Sequence, residues 1–429
     1  MARFSTPNPA GQSIYNPMQA ENTGVDMHWW ERSDLRYEGG SLRFAGIDPG
    51  EKADQAGTPL YLYSIARIRH NTRRLIGALE MTGTRHRVLY AMKSNRFAPI
   101  LTAMAMDGMV GVDACSIGEL ALATSCGFPN RQVSFTATGL AAAEWERILA
   151  YPDVTVNCDS IGDIRKVAAI HPGRSIGIRV NPEIGIGYRK NPLLAYSGKG
   201  SFSKFGITPD VLPQAVSIAR DLGLTVDGLH CHCGCGYLDD QLPAFESIVQ
   251  TMSRLAKELP GLRYLNLGGG LGIPLSPDDK PLSLGEWAGI IRRHCADAPY
   301  EIWIEPGDYL VKDAGLLVLE VTNVEEKCGR RVVWVNGGFN IHPEPVFYKL
   351  PVHPVPLATS APLQLSTIAG NINEVADLWF ENIGLPDYAP GDRIAFLNAG
   401  GYGASMSSNH CMRGLFHEVL IPDRDGVNG

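Results

Sequence analysis

Lys93 follows an apolar run directly, in Tyr90-Ala-Met-Lys93-Ser-Asn95. A lysine held there by a buried strand can be desolvated, which lowers its pKa and frees an amine to attack an aldehyde. The plain alternative is a solvated loop lysine. Leu265-Asn-Leu-Gly268-Gly269-Gly270-Leu-Gly272 carries three consecutive glycines after another apolar run. Such a stretch lets backbone N–H groups approach a phosphate closely, or it is only a tight turn.

The run His230-Cys-His232-Cys-Gly-Cys235 invites a zinc reading. That reading is rejected and no metal is expected: ligands on adjacent strand residues point to opposite faces, and no second ligand pair stands at a usual spacing. His232 serves better as a ring stacked on a cofactor. Glu305-Pro-Gly307 ends a further run, where a carboxylate can hold a pyridine nitrogen protonated through a charge-assisted hydrogen bond. Lysine, stacking histidine, glycine loop and glutamate together are what a pyridoxal 5'-phosphate site requires.

These groups need a scaffold that brings distant segments together. Eight β-branched or apolar runs precede residue 307: Val88–Met92, Val110–Asp113, Val133–Thr136, Val154–Asp159, Ile176–Val180, Leu224–His232, Tyr264–Leu267 and Glu301–Glu305. Amphipathic stretches alternate with them, among them Gly118–Thr124, Ala141–Leu149, Pro209–Leu222 and Gln241–Leu259, and a first helix over Ile65–Met81 lies ahead of the first strand. Eightfold strand–helix alternation predicts an α/β fold, a (β/α)8 TIM-type barrel, whose chemistry collects at the C-terminal ends of the strands. The runs end at Lys93, Asp113, Thr136, Asp159, Arg179, His232, Gly268 and Glu305 or within two residues of them.

Past Gly307 the pattern becomes closely spaced strands, such as Leu316–Val321, Arg331–Val335 and Arg393–Leu397, between Pro- and Gly-rich turns. Three segments follow: 1–57, with a strand-like Leu42–Phe44, feeding a β domain; 58–307, the barrel; and 308–429, the C-terminal β domain. The 429 residues, 45% hydrophobic and 19% charged, suit a packed enzyme. A net charge of -7 gives nucleic acid no basic footprint. No apolar stretch reaches membrane length, the N-terminus lacks a signal-peptide pattern, and nine cysteines fit reduced thiols, so a cytoplasmic protein without membrane partners is expected.

The ordered set of segments resembles the alanine-racemase-like, fold-type III decarboxylases that include diaminopimelate, ornithine and arginine decarboxylases. It comprises Tyr90-Ala-Met-Lys93-Ser-Asn95, Val112-Asp-Ala-Cys-Ser116-Ile-Gly-Glu119, Arg179-Val-Asn-Pro182, Ser203-Lys-Phe-Gly206, His230-Cys-His232, Gly268-Gly-Gly270, Glu305-Pro-Gly307 and Asn398-Ala-Gly-Gly-Tyr402. The likeness runs from Thr58 to Pro422, with spacing nearest the diaminopimelate enzymes. It implies Lys93 as the Schiff-base lysine, His232 on the cofactor ring, Glu305 on its nitrogen, and Gly269, Gly270 and Tyr402 near the phosphate. Asp113, Arg179, Cys235, Gly268 and Gly307 are counted with these cofactor contacts. A head-to-tail homodimer is also implied, in which Asn373, Glu374 and Tyr402 act on the partner's site.

Three positions depart from the family pattern. Asn373 stands where a cysteine usually protonates the substrate carbon, and an amide cannot donate as a thiol does. Asp308 follows Glu-Pro-Gly in place of arginine, and Glu344 falls near a second substrate-binding arginine. Acids at both places favour a cationic substrate end, so the expected reaction is decarboxylation of lysine, ornithine, arginine or a relative, held by Asp308, Glu344, Tyr348, Glu374 and Tyr402. A racemase or epimerase is the enzymatic alternative and a catalytically silent homologue the non-enzymatic one.

Overall fold

The computed structural model describes residues 28–196, 198, 202–359 and 362–423. Eight parallel strands close into a barrel: β1 (His86–Ala91), β2 (Gly111–Ala114), β3 (Val133–Thr136), β4 (Thr155–Cys158), β5 (Ser175–Arg179), β6 (Thr225–His230), β7 (Tyr264–Asn266) and β8 (Glu301–Ile304). β8 pairs with β1 through Ile302–His86 to Ile304–Val88 and completes the ring. Each of the eight expected runs is one of these strands. The five expected helices form too, at Ile65–Glu80, Ile117–Ser125, Ala142–Leu149, Leu212–Asp221 and Leu242–Lys257. Helices at Ala98–Asp107, Ile161–Ile170 and Leu284–Cys295 add to them.

The barrel interior explains two glycines that weaken strands on propensity alone. The Tyr264 ring stacks on Trp303 at 4.0 Å between centroids and occupies the barrel axis. A Cβ at Gly228 would lie 2.0 Å from the Tyr264 ring, and one at Gly177 would lie 2.2 Å from its hydroxyl. Glycine on β5 and β6 is therefore the complement of a large aromatic on β7. The Tyr264 hydroxyl donates to Asn157 Oδ1 at 2.6 Å, and Asn157 Nδ2 donates to Thr136 Oγ1 at 2.9 Å. This buried polar chain reaches from the aromatic plug to the mouth of the barrel.

The second unit is a β sheet built around the long strand Gly315–Lys327, which pairs with Arg330–Val335, Arg393–Phe396 and Leu60–Ser64. Leu60–Ser64 falls inside the segment 58–307 assigned to the barrel, yet it is a strand of this other sheet. Its alternating residues face two apolar cores, with Tyr61 and Tyr63 on the barrel side and Leu60 and Leu62 on the far side. Within 1–57, Ser41–Phe44 forms a hairpin with Leu35–Glu38, and Leu42 N–H donates to Leu357 O. Leu35, Leu42 and Phe44 pack into the far core against Leu316, Val318 and Ala395. Residues 1–27 lie outside the described part. No described helix is long and apolar enough to cross a membrane.

Candidate active site

A cleft of about 510 Å3 opens at the C-terminal mouth of the barrel. Lys93 reaches it from the single helical turn Met92–Ser94 that follows β1. Ser94 fixes that turn: its hydroxyl donates to Ala91 O at 2.8 Å, and its carbonyl accepts the Tyr402 N–H at 2.7 Å. Asp113 enters from β2, Thr136 from β3, Arg179 from β5, His230 and His232 from β6 and the loop after it, and Glu305 from the end of β8. Cys231 and Cys233 alternate to the opposite side and are buried in the core.

Charge in the cleft is ordered by a few contacts. His230 Nε2 lies 2.9 Å from Glu305 Oε2, and Asn266 Nδ2 donates to Glu305 Oε1 at 2.5 Å. Burial opposes ionisation of Glu305, but the charge and hydrogen bond of His230, the Asn266 bond and Lys93 outweigh it, and the carboxyl sits below its ordinary range. Asp113 goes the other way: burial and the Glu305 charge push it well above the usual carboxylate range, with Lys93 only partly offsetting them. Burial also drives His232 well below an ordinary histidine, helped by Lys93 and Arg179. Its ring is therefore neutral, and its Nδ1 accepts the Gly269 N–H at 3.3 Å.

The sequence reading has Lys93 lowered by desolvation. Burial does pull it down, but Asp113 and the neighbouring Cys235 and Cys115 exceed that effect, and Lys93 lies above an ordinary lysine. Arg179 is committed to Asp159 at 3.0 Å and covers the Phe205 ring. This ties the Arg179-Val-Asn-Pro and Ser203-Lys-Phe-Gly segments into one wall, joined further by the Val180–Ile207 bridge.

Of the three glycines only Gly270 lines the cleft, with Gly307 across from it. Gly270 has φ +89, and a Cβ there would lie 2.2 Å from Gly234 O. A side chain is excluded, so bare backbone faces the cavity, as close approach by a phosphate demands. Gly268 and Gly269 stand behind it, their N–H groups bonded to Asn266 Oδ1 and His232 Nδ1. Tyr402, held in the left-handed region at φ +54, lines the cleft of its own chain and not, as the sequence reading has it, that of a partner.

A second cavity of about 450 Å3 adjoins the first and shares Cys235, Gly236, Asp308 and Tyr402 with it. Tyr348, on the short helix Glu344–Tyr348, forms part of its wall with Tyr188, Tyr196 and Leu350. Cys235 donates to Tyr196 Oη at 3.3 Å, and burial keeps its thiol above the ordinary range and therefore protonated. Both oxygens of Glu344 contact Lys312 Nζ, at 2.6 and 2.8 Å. Asn373 and Glu374 are exposed on the β domain outside both cavities, with Glu374 3.3 Å from His410.

Sequence alone does not mark Lys312, His230, Asn266 or Tyr196 as site residues. His230 and Asn266 were readable as polar residues near strand ends. Lys312 and Tyr196 lie in stretches with no strand pattern and gave no signal.

The groups present suit pyridoxal phosphate. They comprise an amine, a neutral ring, an ionised carboxylate and a bare-backbone cradle, and Asp113 Oδ1 is buried with no hydrogen-bond partner among the described residues. The pyridoxal-binding domain of the pyridoxal-dependent decarboxylases matches residues 65–312. The diaminopimelate decarboxylase of Methanothermobacter thermautotrophicus is 34% identical over 397 residues, covering 89% of this chain and 91% of that protein. A crystal structure of diaminopimelate decarboxylase from M. jannaschii with L-lysine superposes with a TM-score of 0.83 at 26% identity, covering 91% of this chain and 93% of that one. The lysine decarboxylase of Selenomonas ruminantium shares the fold, with a TM-score of 0.78 at 20% identity over 90% of this chain and 98% of that one.

Proposed function

The chain belongs to the pyridoxal-dependent decarboxylases, and we propose that within that family it removes CO2 from an amino acid whose side chain ends in an amine or another basic group. The observation that carries this reading is Asp308. This acid stands where the cofactor cleft and the adjoining cavity meet, and the only cation lining the second cavity among the described residues, Lys312, is engaged by carboxylates. A carboxylate-ended side chain finds no free cation there, while an ammonium or guanidinium finds Asp308 and the hydroxyls of Tyr196, Tyr348 and Tyr402.

Pyridoxal phosphate, when bound, supplies an aldehyde for the substrate amine and a ring that accepts the electron pair left behind by CO2. Lys93 would hold the cofactor and release the product amine. Glu305, kept ionised by His230 and Asn266, would hold a proton on the ring nitrogen. His232, neutral, would lie against the ring face without competing for charge. Gly270, Gly307 and Tyr402 would receive the phosphate, and Asp113 and Arg179 would close the cleft beside Lys93.

Asn373 and Glu374 would belong to the site of a second copy. They sit beside Val375 at 95% exposure, and Met412 and Leu415 are each 86% exposed on the same domain. Apolar side chains so exposed are suited to burial against another subunit.

The test is a panel of D- and L-basic amino acids with diaminopimelate, scored by CO2 release beside product mass. Release of CO2 from a basic amino acid, with diaminopimelate a poor substrate, is expected. CO2 from diaminopimelate alone would overturn the substrate assignment, and altered chirality without CO2 would overturn decarboxylation.

A further inference from the structure

Lys312 is buried, 3% exposed, and lies one helical turn after Asp308. Its Nζ is 2.6 and 2.8 Å from the oxygens of Glu344, itself 4% exposed, and 3.3 and 3.4 Å from those of half-buried Asp308. An ammonium has three N–H donors, and here all three are directed at acids that are already present. His342, Tyr61, Tyr348 and Tyr402, which interact with the cluster, add no charge to it near neutrality. His342 is held down at about 3 by burial, while Tyr61, Tyr348 and Tyr402 are raised above ordinary tyrosines, chiefly by burial. The cluster therefore counts two acids against one base.

We propose that Lys312 sets the substrate specificity of the second cavity: it neutralises Glu344 and leaves one net negative charge, presented at Asp308, so that the cavity admits a side chain with one positive charge and rejects one that also carries a carboxylate. This deepens the decarboxylase reading above and rests on it. Lys312 is a positioning residue in this scheme, acting through Asp308 rather than on the reacting atoms. An arriving carboxylate would have to displace Glu344 from Lys312, whereas an arriving ammonium completes the count without moving either.

Charge counting makes a prediction that contact alone does not. Asp308→Asn and Glu344→Gln each leave one acid against Lys312, so both variants should lose the preference for lysine over norleucine, its uncharged analogue. The loss expected is on the order of tenfold or more in the ratio of kcat/KM values, as for a hydrogen bond to a charged group. The double variant Lys312→Met/Glu344→Gln restores a single uncompensated acid at Asp308 and should recover the preference. Removing both partners of a buried ion pair is tolerated better than removing one, so the double variant carries the test where a single variant folds poorly, with the cofactor absorption band reporting folding in each.

Recovery in the double variant is the supporting result. Lysine preference that survives Glu344→Gln, or that is absent from the folded double variant, overturns the role of Lys312 and leaves the decarboxylase reading intact. A wild-type protein that releases CO2 from no basic amino acid overturns the substrate reading and this inference with it.

Discussion

Glu305 Oε2 and His230 Nε2, from the ends of two barrel strands, lie 2.9 Å apart, and the other Glu305 oxygen takes a 2.5 Å bond from Asn266 on the strand between them. His230 Nδ1 has no partner among the described residues. Nε2 is thus the nitrogen that donates to the ionised Glu305 carboxylate. Three neighbouring strands cooperate to keep one buried carboxylate ionised.

Glu305→Gln should therefore retain the cofactor while lowering kcat by about 10²- to 10³-fold, the usual cost of removing one aligned electrostatic group from an active site. Cofactor absorbance and steady-state decarboxylation, measured on the same sample, separate the two effects. A variant that keeps nearly full kcat would remove Glu305 from the chemistry.

Burial pushes Glu344 up to about 7 against the opposing pull of Lys312. Lys312 is itself raised, because Asp308 and Glu344 together exceed the effect of its own burial, and it stays charged throughout this range. Below the Glu344 value the cluster holds an extra proton and attracts a cation weakly; above it the negative charge is present. KM for a basic amino acid should accordingly fall as the pH rises from about 6 to about 8. Glu344→Gln should flatten that dependence, and an unchanged pH profile in the variant would detach Glu344 from substrate binding.

Inside the barrel, Tyr264→Phe keeps the stack on Trp303 but removes the hydroxyl that donates to Asn157 Oδ1. An acceptor left unsatisfied in the core costs about 1–3 kcal/mol. Urea unfolding should show a lower midpoint with an unchanged slope, whereas activity per folded molecule should stay close to wild type. Gly228→Ala should be worse, since the added carbon meets the Tyr264 ring at 2.0 Å.

If Glu374 serves the site of a second copy, Lys93→Ala and Glu374→Ala proteins, each inactive alone, should complement on mixing. Subunit exchange would give mixed dimers with one intact site, recovering up to roughly a quarter of wild-type activity. A mixture that stays inactive after exchange, followed by native mass spectrometry, would place Glu374 outside any shared site.

The barrel was legible because its eight strands are short β-branched or apolar runs with a polar or glycine residue at the mouth, and both properties survive in a single sequence. Leu60–Ser64 escaped notice because all five residues are buried between two cores, which erases the alternation that marks a half-exposed strand. Lys93, Glu305 and the glycines could be read because each stands at a strand end. The partnership of Lys312 with Glu344 could not, since it joins residues 32 positions apart through a helical turn and a loop that share no periodic signal. The direction of the Lys93 shift is not legible for a related reason: burial is written in the local sequence, while the countering Asp113 arrives from the next strand.

The pairing of Leu60–Ser64 with both Gly315–Val318 and His417–Ile421 has a consequence for biosynthesis. As the chain leaves the ribosome, everything the barrel needs for closure has emerged once β8 is out, but Leu60–Ser64, made before the barrel, still waits for partners encoded after it. Until Ile421 is made, that strand presents an open hydrogen-bonding edge, the kind of surface on which nascent chains pair wrongly or recruit chaperones. Synthesis of His417–Ile421 is therefore the step that removes this hazard, and a ribosome stalled shortly before it would display a closed barrel beside a Leu60–Ser64 strand with one edge unpaired.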